Sequence, residues 1–212
     1  FGNAIIKTND GGYLIIGTTN NTAGGDTDMY VLRLDASFNL VWDKIYGNVN
    51  GLNDAGGSVM EDDNGDLIWL GIEQVSATNS RARMVKTNSL GNILWDFNYP
   101  LVENNTIVNG SSTVGDFIHV NGNYLFTGSH SRRGVILVNV DSDGQEIWFK
   151  QFQENVNNTG DKGNDIVLGC DNTLVIAGHS GGTNNDMFLV KTDIQGELIW
   201  QNTFGDAGFD EA

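Results

Sequence analysis

Asp186-Met-Phe-Leu-Val-Lys-Thr-Asp-Ile-Gln-Gly-Glu-Leu-Ile-Trp200 places two apolar runs on either side of an Asp-x-x-Gly turn. An Asx side chain bonds the backbone two residues on, and glycine takes a positive φ at no steric cost. The stretch therefore predicts a β-hairpin. Three earlier stretches align with it without a gap: Asp28 to Trp42, Arg81 to Trp95 and Gly134 to Trp148. The four tryptophans follow one another at intervals of 53, 53 and 52 residues, and self-similarity at such a period marks a repeat architecture. Asp35, Asn88, Asp141 or Asp193 stands seven residues before each Trp. Gly91, Gly144 or Gly196 stands four before it, and Phe38 is the exception.

Outward from the hairpin, each repeat carries a second strand that ends in glycine: Tyr13 to Gly17, Leu67 to Gly71, Tyr124 to Gly128 and Leu174 to Gly178. A tight turn precedes each one, and before the turn lies an opening strand: Ala4 to Lys7, Ser58 to Met60, Asp116 to His119 and Asp165 to Leu168. No segment shows helical periodicity. Four antiparallel strands repeated every 53 residues or so predict an all-β chain of four-stranded β-propeller blades. The blades fall at about 1–50, 51–104, 105–156 and 157–205, with 206–212 leading into a next or first blade. Trp42, Trp95, Trp148 and Trp200 read as structural residues packed between blades, because a blade cannot bury both faces alone. Trp69, outside the pattern, reads as core. The tail after Phe204 resembles the linker before an opening strand, and Phe1 to Ile6 supplies such a strand. A closed four-bladed ring and a slice of a longer propeller both fit, and the slice is the expectation favoured here.

The 212 residues weigh 23.0 kDa and carry 27 acids against 11 Lys and Arg, a net charge of -16. That balance argues against a nucleic-acid partner, whose binders displace counterions with clustered basic residues, and against an anionic membrane surface. No apolar run approaches the roughly 18 to 20 residues that span a bilayer, so no membrane insertion is expected. The single Cys170 excludes an internal disulfide and reads as a buried structural thiol. The chain opens without Met, inside a strand-like run, so its gene is expected to start upstream.

The run Thr8 to Gly17, followed by Asp28 to Asp35 and Leu40 to Gly47, resembles the SBBP-like β-propeller repeats of bacterial secreted proteins, frequent in surface proteins and type IX secretion cargo of Bacteroidota. The resemblance covers essentially the whole chain. It implies an exported or cell-surface protein and carries no catalytic residues to transfer. Asp193 to Trp200 is also similar to the Trp-docking motif of PQQ-type propellers, with a slightly shorter turn. A shared packing motif does not imply the quinone; no cofactor is expected, and a quinone-dependent enzyme is the remotest alternative.

Four kinds of chemistry have candidate residues in the chain. Asp62, Asp63 and Asp66, and Asp141 with Asp143, cluster the oxygens that calcium prefers, yet both groups sit where a hairpin turn is needed anyway. His130 and His179 follow equivalent strand-ending glycines and would sit at one rim, without a recurring carboxylate to complete a metal triad. His119 is the third histidine. No nucleophile elbow or spaced Ser-His-Asp set occurs, so catalysis is not expected. The loops Thr18 to Thr27, Val102 to Thr113, Gln153 to Lys162 and Ser180 to Asn185 are rich in Asn, Gly, Ser and Thr. With Tyr46, Tyr99 and Phe152 nearby they suit carbohydrate hydroxyls. The expectation is a non-enzymatic surface module that binds a polysaccharide or a protein partner, with a structural module of a larger adhesin or secretion cargo as the alternative.

Overall fold

The computed structural model describes residues 1–20, 25–47, 51–100, 102–103, 106–107, 109–153, 160–181 and 185–205. These residues form four four-stranded antiparallel sheets, with no helix among them. No described helix is long and apolar enough to cross a membrane. The first sheet runs β1 (Gly2–Lys7), β2 (Tyr13–Thr19), β3 (Asp28–Leu34) and β4 (Leu40–Tyr46). The second runs β5 (Ala55–Glu61), β6 (Leu67–Ser76), β7 (Asn79–Thr87) and β8 (Ile93–Tyr99). After a two-stranded ribbon of β9 (Val102–Glu103) and β10 (Thr106–Ile107) come β11 (Ser112–Val120), β12 (Asn123–His130), β13 (Gly134–Val140) and β14 (Glu146–Phe152). The last sheet is β15 (Lys162–Leu168), β16 (Thr173–His179), β17 (Met187–Asp193) and β18 (Leu198–Phe204). In every sheet spatial order equals chain order, the meander of a propeller blade.

The chain divides into two compact units, Phe1–Asn109 and Gly110–Ala212, each holding two blades. In the first unit, Leu14, Ile16, Met29, Val31 and Tyr46 of blade 1 pack with Val59, Leu67, Trp69 and Val85 of blade 2. Trp69 is fully buried there. In the second, Leu125, Val135, Leu137 and Phe152 of blade 3 pack with Ile166, Leu174, Ile176, Phe188 and Val190 of blade 4. The strands alternate apolar residues toward this seam, as period-two burial requires. Inner strand β5 can approach blade 1 closely because Gly56 has no side chain: a Cβ there would run into Ile16.

The outer hairpins share one turn. Asp35, Asn88, Asp141 and Asp193 each accept two backbone N–H bonds on Oδ1, from the residues two and four positions on, at 2.8 to 3.1 Å. Gly91, Gly144 and Gly196 hold φ of 72°, 84° and 79° at the tip, and Phe38 holds 64°. A bulge between the third and fourth strands follows in all four sheets.

Trp42 and Trp148 are seam residues with half-buried rings. Trp42 donates its indole N–H to Ser89 O of the next turn at 3.1 Å, and the Trp148 ring lies against Gly196. Trp95 is half-buried, 6.1 Å from Phe97. Trp200 departs from the packed reading, since 40% of it is exposed. Cys170 is a second correction. It is exposed, because it lies past the end of β15 in the turn that Asn172 N closes on Gly169 O.

Candidate functional site

Parts of the polar loops named from sequence lie outside the described residues: 21–24, 104–105, 108, 154–159 and 182–184. Their anchoring residues are described. Each blade has one end carrying the 1–2 and 3–4 turns and an opposite rim carrying the 2–3 connection and the link to the next blade.

At the turn end, the calcium candidates are committed to the fold. Asp62 Oδ1 accepts from Asn64 N at 2.9 Å and Asp66 N at 3.0 Å. Lys86 Nζ donates to Asp62 Oδ2 at 2.9 Å and lies 3.2 Å from Asp66. An ammonium thus stands among these oxygens, while Asp141 Oδ1 holds its own hairpin and Asp63 and Asp143 are exposed. Among the described residues no three His, Cys, Asp or Glu side chains are grouped to hold a metal.

At the rim the expected residues are corrected. Tyr46 and Tyr99 are buried, not displayed for stacking. The next blade closes over Tyr46, whose hydroxyl donates to Gly91 O at 3.2 Å and whose ring sits 4.7 Å from Trp69. Burial, with the Asp96 charge, pushes the Tyr46 phenol up to about 12. Phe152 is buried in the same way. His130 is also buried, and its Nδ1 accepts from Arg132 N at 3.3 Å. His179 is half-buried at the equivalent end of β16. The His119 ring lies tilted by 30° against Tyr124, with centroids 5.0 Å apart.

The rim instead gathers buried acids. Asp54 is fully buried and accepts from Gln74 N at 3.0 Å. Asp161, its counterpart in the second unit, accepts from Gly181 N at 2.8 Å. Both staple the rim by satisfied bonds. Asp28 differs. It opens β3 with only 6% of its surface exposed, and its Oδ1 has no hydrogen-bond partner. The carboxylate lies over Gly47, where a Cβ would collide with it. Desolvation, then the neighbouring Asp26 charge, raises the Asp28 pKa. Asp186 repeats the feature at the start of β17, with a buried and unpartnered Oδ1. An orphaned carboxylate oxygen destabilises a fold, and such groups in native structures call for an explanation. The sequence contained a signal: Asp28 and Asp186 occupy the same repeat position. Burial and the missing partner are visible only in three dimensions.

No protein-family model and no curated protein sequence matches the chain. Solved structures do. A protein of unknown function from Dyadobacter fermentans aligns with a TM-score of 0.57 at 13% identity, over 91% of this chain and 60% of that one. A thermostable family-43 glycoside hydrolase aligns at 0.55 and 11%, over 98% and 77%. An endo-arabinase from Bacteroides thetaiotaomicron aligns at 0.51 and 13%, over 96% and 75%. At that identity the likeness carries the fold alone, and the chain is built from four-stranded β-propeller blades.

Proposed function

We propose that the chain is a binding module of an exported, cell-surface protein of the SBBP-like repeat class, presenting the rim around Asp26 and Asp28 to a neutral polysaccharide without turning it over. The observation that carries this reading is the buried Asp28 carboxylate with an unpartnered oxygen. Its ionised form costs stability, and a ligand that donates a hydrogen bond removes that cost. Sugar hydroxyls donate without adding negative charge, whereas a net charge of -16 repels acidic polymers. The similar folds include an endo-arabinase and a family-43 glycoside hydrolase, which supports glycans as the first class to screen.

The test is a panel of neutral polysaccharides read by calorimetry, with Asp28→Asn as the site variant. Wild type binds a glycan, and the variant loses that binding while melting at a higher temperature at pH 7. The sign follows from the raised pKa: the penalty of the ionised acid is present above that pKa and fades as the pH falls through it. The thermal gain therefore shrinks in acid. Unchanged binding in the variant removes the site, and silence of wild type across the panel removes the polysaccharide in favour of a protein partner. Reducing-sugar release that Asp28→Asn abolishes would overturn the non-enzymatic reading. A second reading, a structural module of a larger secreted adhesin or type IX secretion cargo, is favoured by the exposed Trp200 and Phe204.

A further inference from the structure

The four blades are of two kinds at the rim. In blades 2 and 3 the second and third strands are joined tightly: only Ala77 and Thr78 separate Ser76 from Asn79, and Ser131 to Arg133 separate His130 from Gly134. In blades 1 and 4 the same step is long, over residues 20–27 and 180–186. Both long connections are rich in Asn, Gly and Thr. Both deliver an Asp-Met pair, Asp28-Met29 and Asp186-Met187, with an aromatic residue, Tyr30 or Phe188, after it. The tight blades carry Arg81-Ala82 and Gly134-Val135 at those positions.

The end of the fourth strand varies in step. Glycine follows it in the two blades that have the aspartate, Gly47 after Tyr46 and Gly205 after Phe204. In the other two, Pro100 follows Tyr99 and Gln153 follows Phe152. The reason is steric in blade 1, where a Cβ on Gly47 would overlap Asp28 Oδ1. Blade 3 makes the reverse exchange: Gly134 gives up the side chain, and a Cβ there would meet Phe152 O at 2.7 Å and Gln153 at 2.9 Å. One rim position thus holds an acid beside a glycine or a glycine beside a long side chain.

Both acids keep an oxygen unused. Oδ1 of Asp28 and Oδ1 of Asp186 are shut from solvent without a hydrogen-bond partner, and among the described carboxylates only these two are in that state. The backbone around Asp186 is held: Asn185 enters it at a φ of 49°, and Ser180 N donates to Asp186 O at 2.8 Å. The carboxylate oxygen is what is left over. An unpaired buried acceptor destabilises a fold, and packing does not require this one, because blades 2 and 3 close the same rim without it.

We infer that the chain carries two carbohydrate sites of one kind, the second in the second unit, where Asp186 Oδ1 accepts a sugar hydroxyl as Asp28 Oδ1 does in the first. A carboxylate oxygen only accepts, and a hydroxyl supplies the missing donor. The inference rests on the glycan reading of Asp28 and adds to it a separate site and a stoichiometry of two ligand segments per chain.

Amide chemical-shift mapping on the isotope-labelled chain tests it, with cellohexaose, xylohexaose and maltohexaose as probes. In wild type a probe that moves the amides of Thr27, Asp28 and Gly47 also moves those of Asn185, Asp186 and Gly205. Asp186→Ala loses the second set of shifts and keeps the first, and Asp28→Ala does the reverse, since alanine removes the acceptor without adding volume. The wild-type map alone carries the test if either variant does not fold. Shifts confined to the Asp28 set overturn the second site and leave the glycan reading standing. Survival of the second set in Asp186→Ala, or loss of both sets in one variant, does the same. No shift with any of the three probes removes the glycan reading and the second site together.

Discussion

Glycine stands at the tip of three outer hairpins for two separable reasons. The first is backbone: a side chain at φ near 80° costs roughly 1–2 kcal/mol. The second is contact, since a Cβ at Gly196 would sit 2.8 Å from two carbons of the Trp148 ring. Gly122 isolates the first reason, with φ 83° and open space around it. Gly196→Ala should therefore cost more than Gly122→Ala by about 1–3 kcal/mol, the usual penalty for overpacking, as read by urea denaturation. Equal losses would mean that Trp148 is not held against the turn. Phe38 bears the backbone cost that its counterparts avoid, and its stack on Tyr13 returns roughly 0.5–1.5 kcal/mol of it. That the first repeat breaks the glycine rule is plain in the sequence. That it does so while keeping the same left-handed turn is not, because a large residue at that position first suggests a different turn.

The inner hairpin and the third strand of a blade are tied by a recurring ion pair. Two residues before each Asx stands Arg33, Lys86, Asn139 or Lys191. Arg33 meets Asp10 at 2.5 Å, Lys86 meets Asp62 at 2.9 Å and Lys191 meets Asp171 at 2.7 Å. Blade 3 has lost both members. Its inner turn is the two-residue Asn121-Gly122, and Asn139 is buried with an unpartnered Oδ1. Burial separates the three pairs in strength. Lys86 and Asp62 are both buried, so Lys86→Met should cost about 3 kcal/mol by stranding a carboxylate. Lys191→Met, at an exposed pair screened by solvent, should cost much less. Chemical denaturation compares them, and similar losses would show that solvent screens Asp62 as well. The hairpins were legible from local chemistry, an Asx, a glycine and alternating apolar residues. The occupants of the two sheet faces were not. Tyr46, Tyr99 and His130 read as rim residues because spacing cannot say which side the neighbouring blade covers. Asp28 passed as a strand-starting residue because desolvation leaves no mark on composition.

For the whole molecule, charge sets two opposed pH trends. The Gly12 amide, the Thr8 hydroxyl and the Arg33 guanidinium hold the Asp10 carboxyl at about 2. The Lys191 ammonium and the Thr173 hydroxyl do the same for Asp171. Burial pushes Asp62 up, but Lys86 and the turn amides of Asp66 and Asn64 bring it below its ordinary value. Depressed carboxyls contribute stability above the unfolded value near 3.9, and that stability is lost as the pH falls toward 2. Above this limb the second trend dominates. With 27 acids against 11 bases, self-repulsion grows from the pI near 4.2 to a net charge of -16 at neutrality. The melting temperature should therefore peak between about pH 4.5 and 6, where the ion pairs are intact and the repulsion is small. Sodium chloride separates the two causes, because the screening length shrinks from about 10 Å at 0.1 M to about 3 Å at 1 M. At pH 7.5 added salt should raise the melting temperature, and near pH 4.5 it should change it little. Salt that lowers the melting temperature at pH 7.5 would mean that the three ion pairs outweigh the net charge.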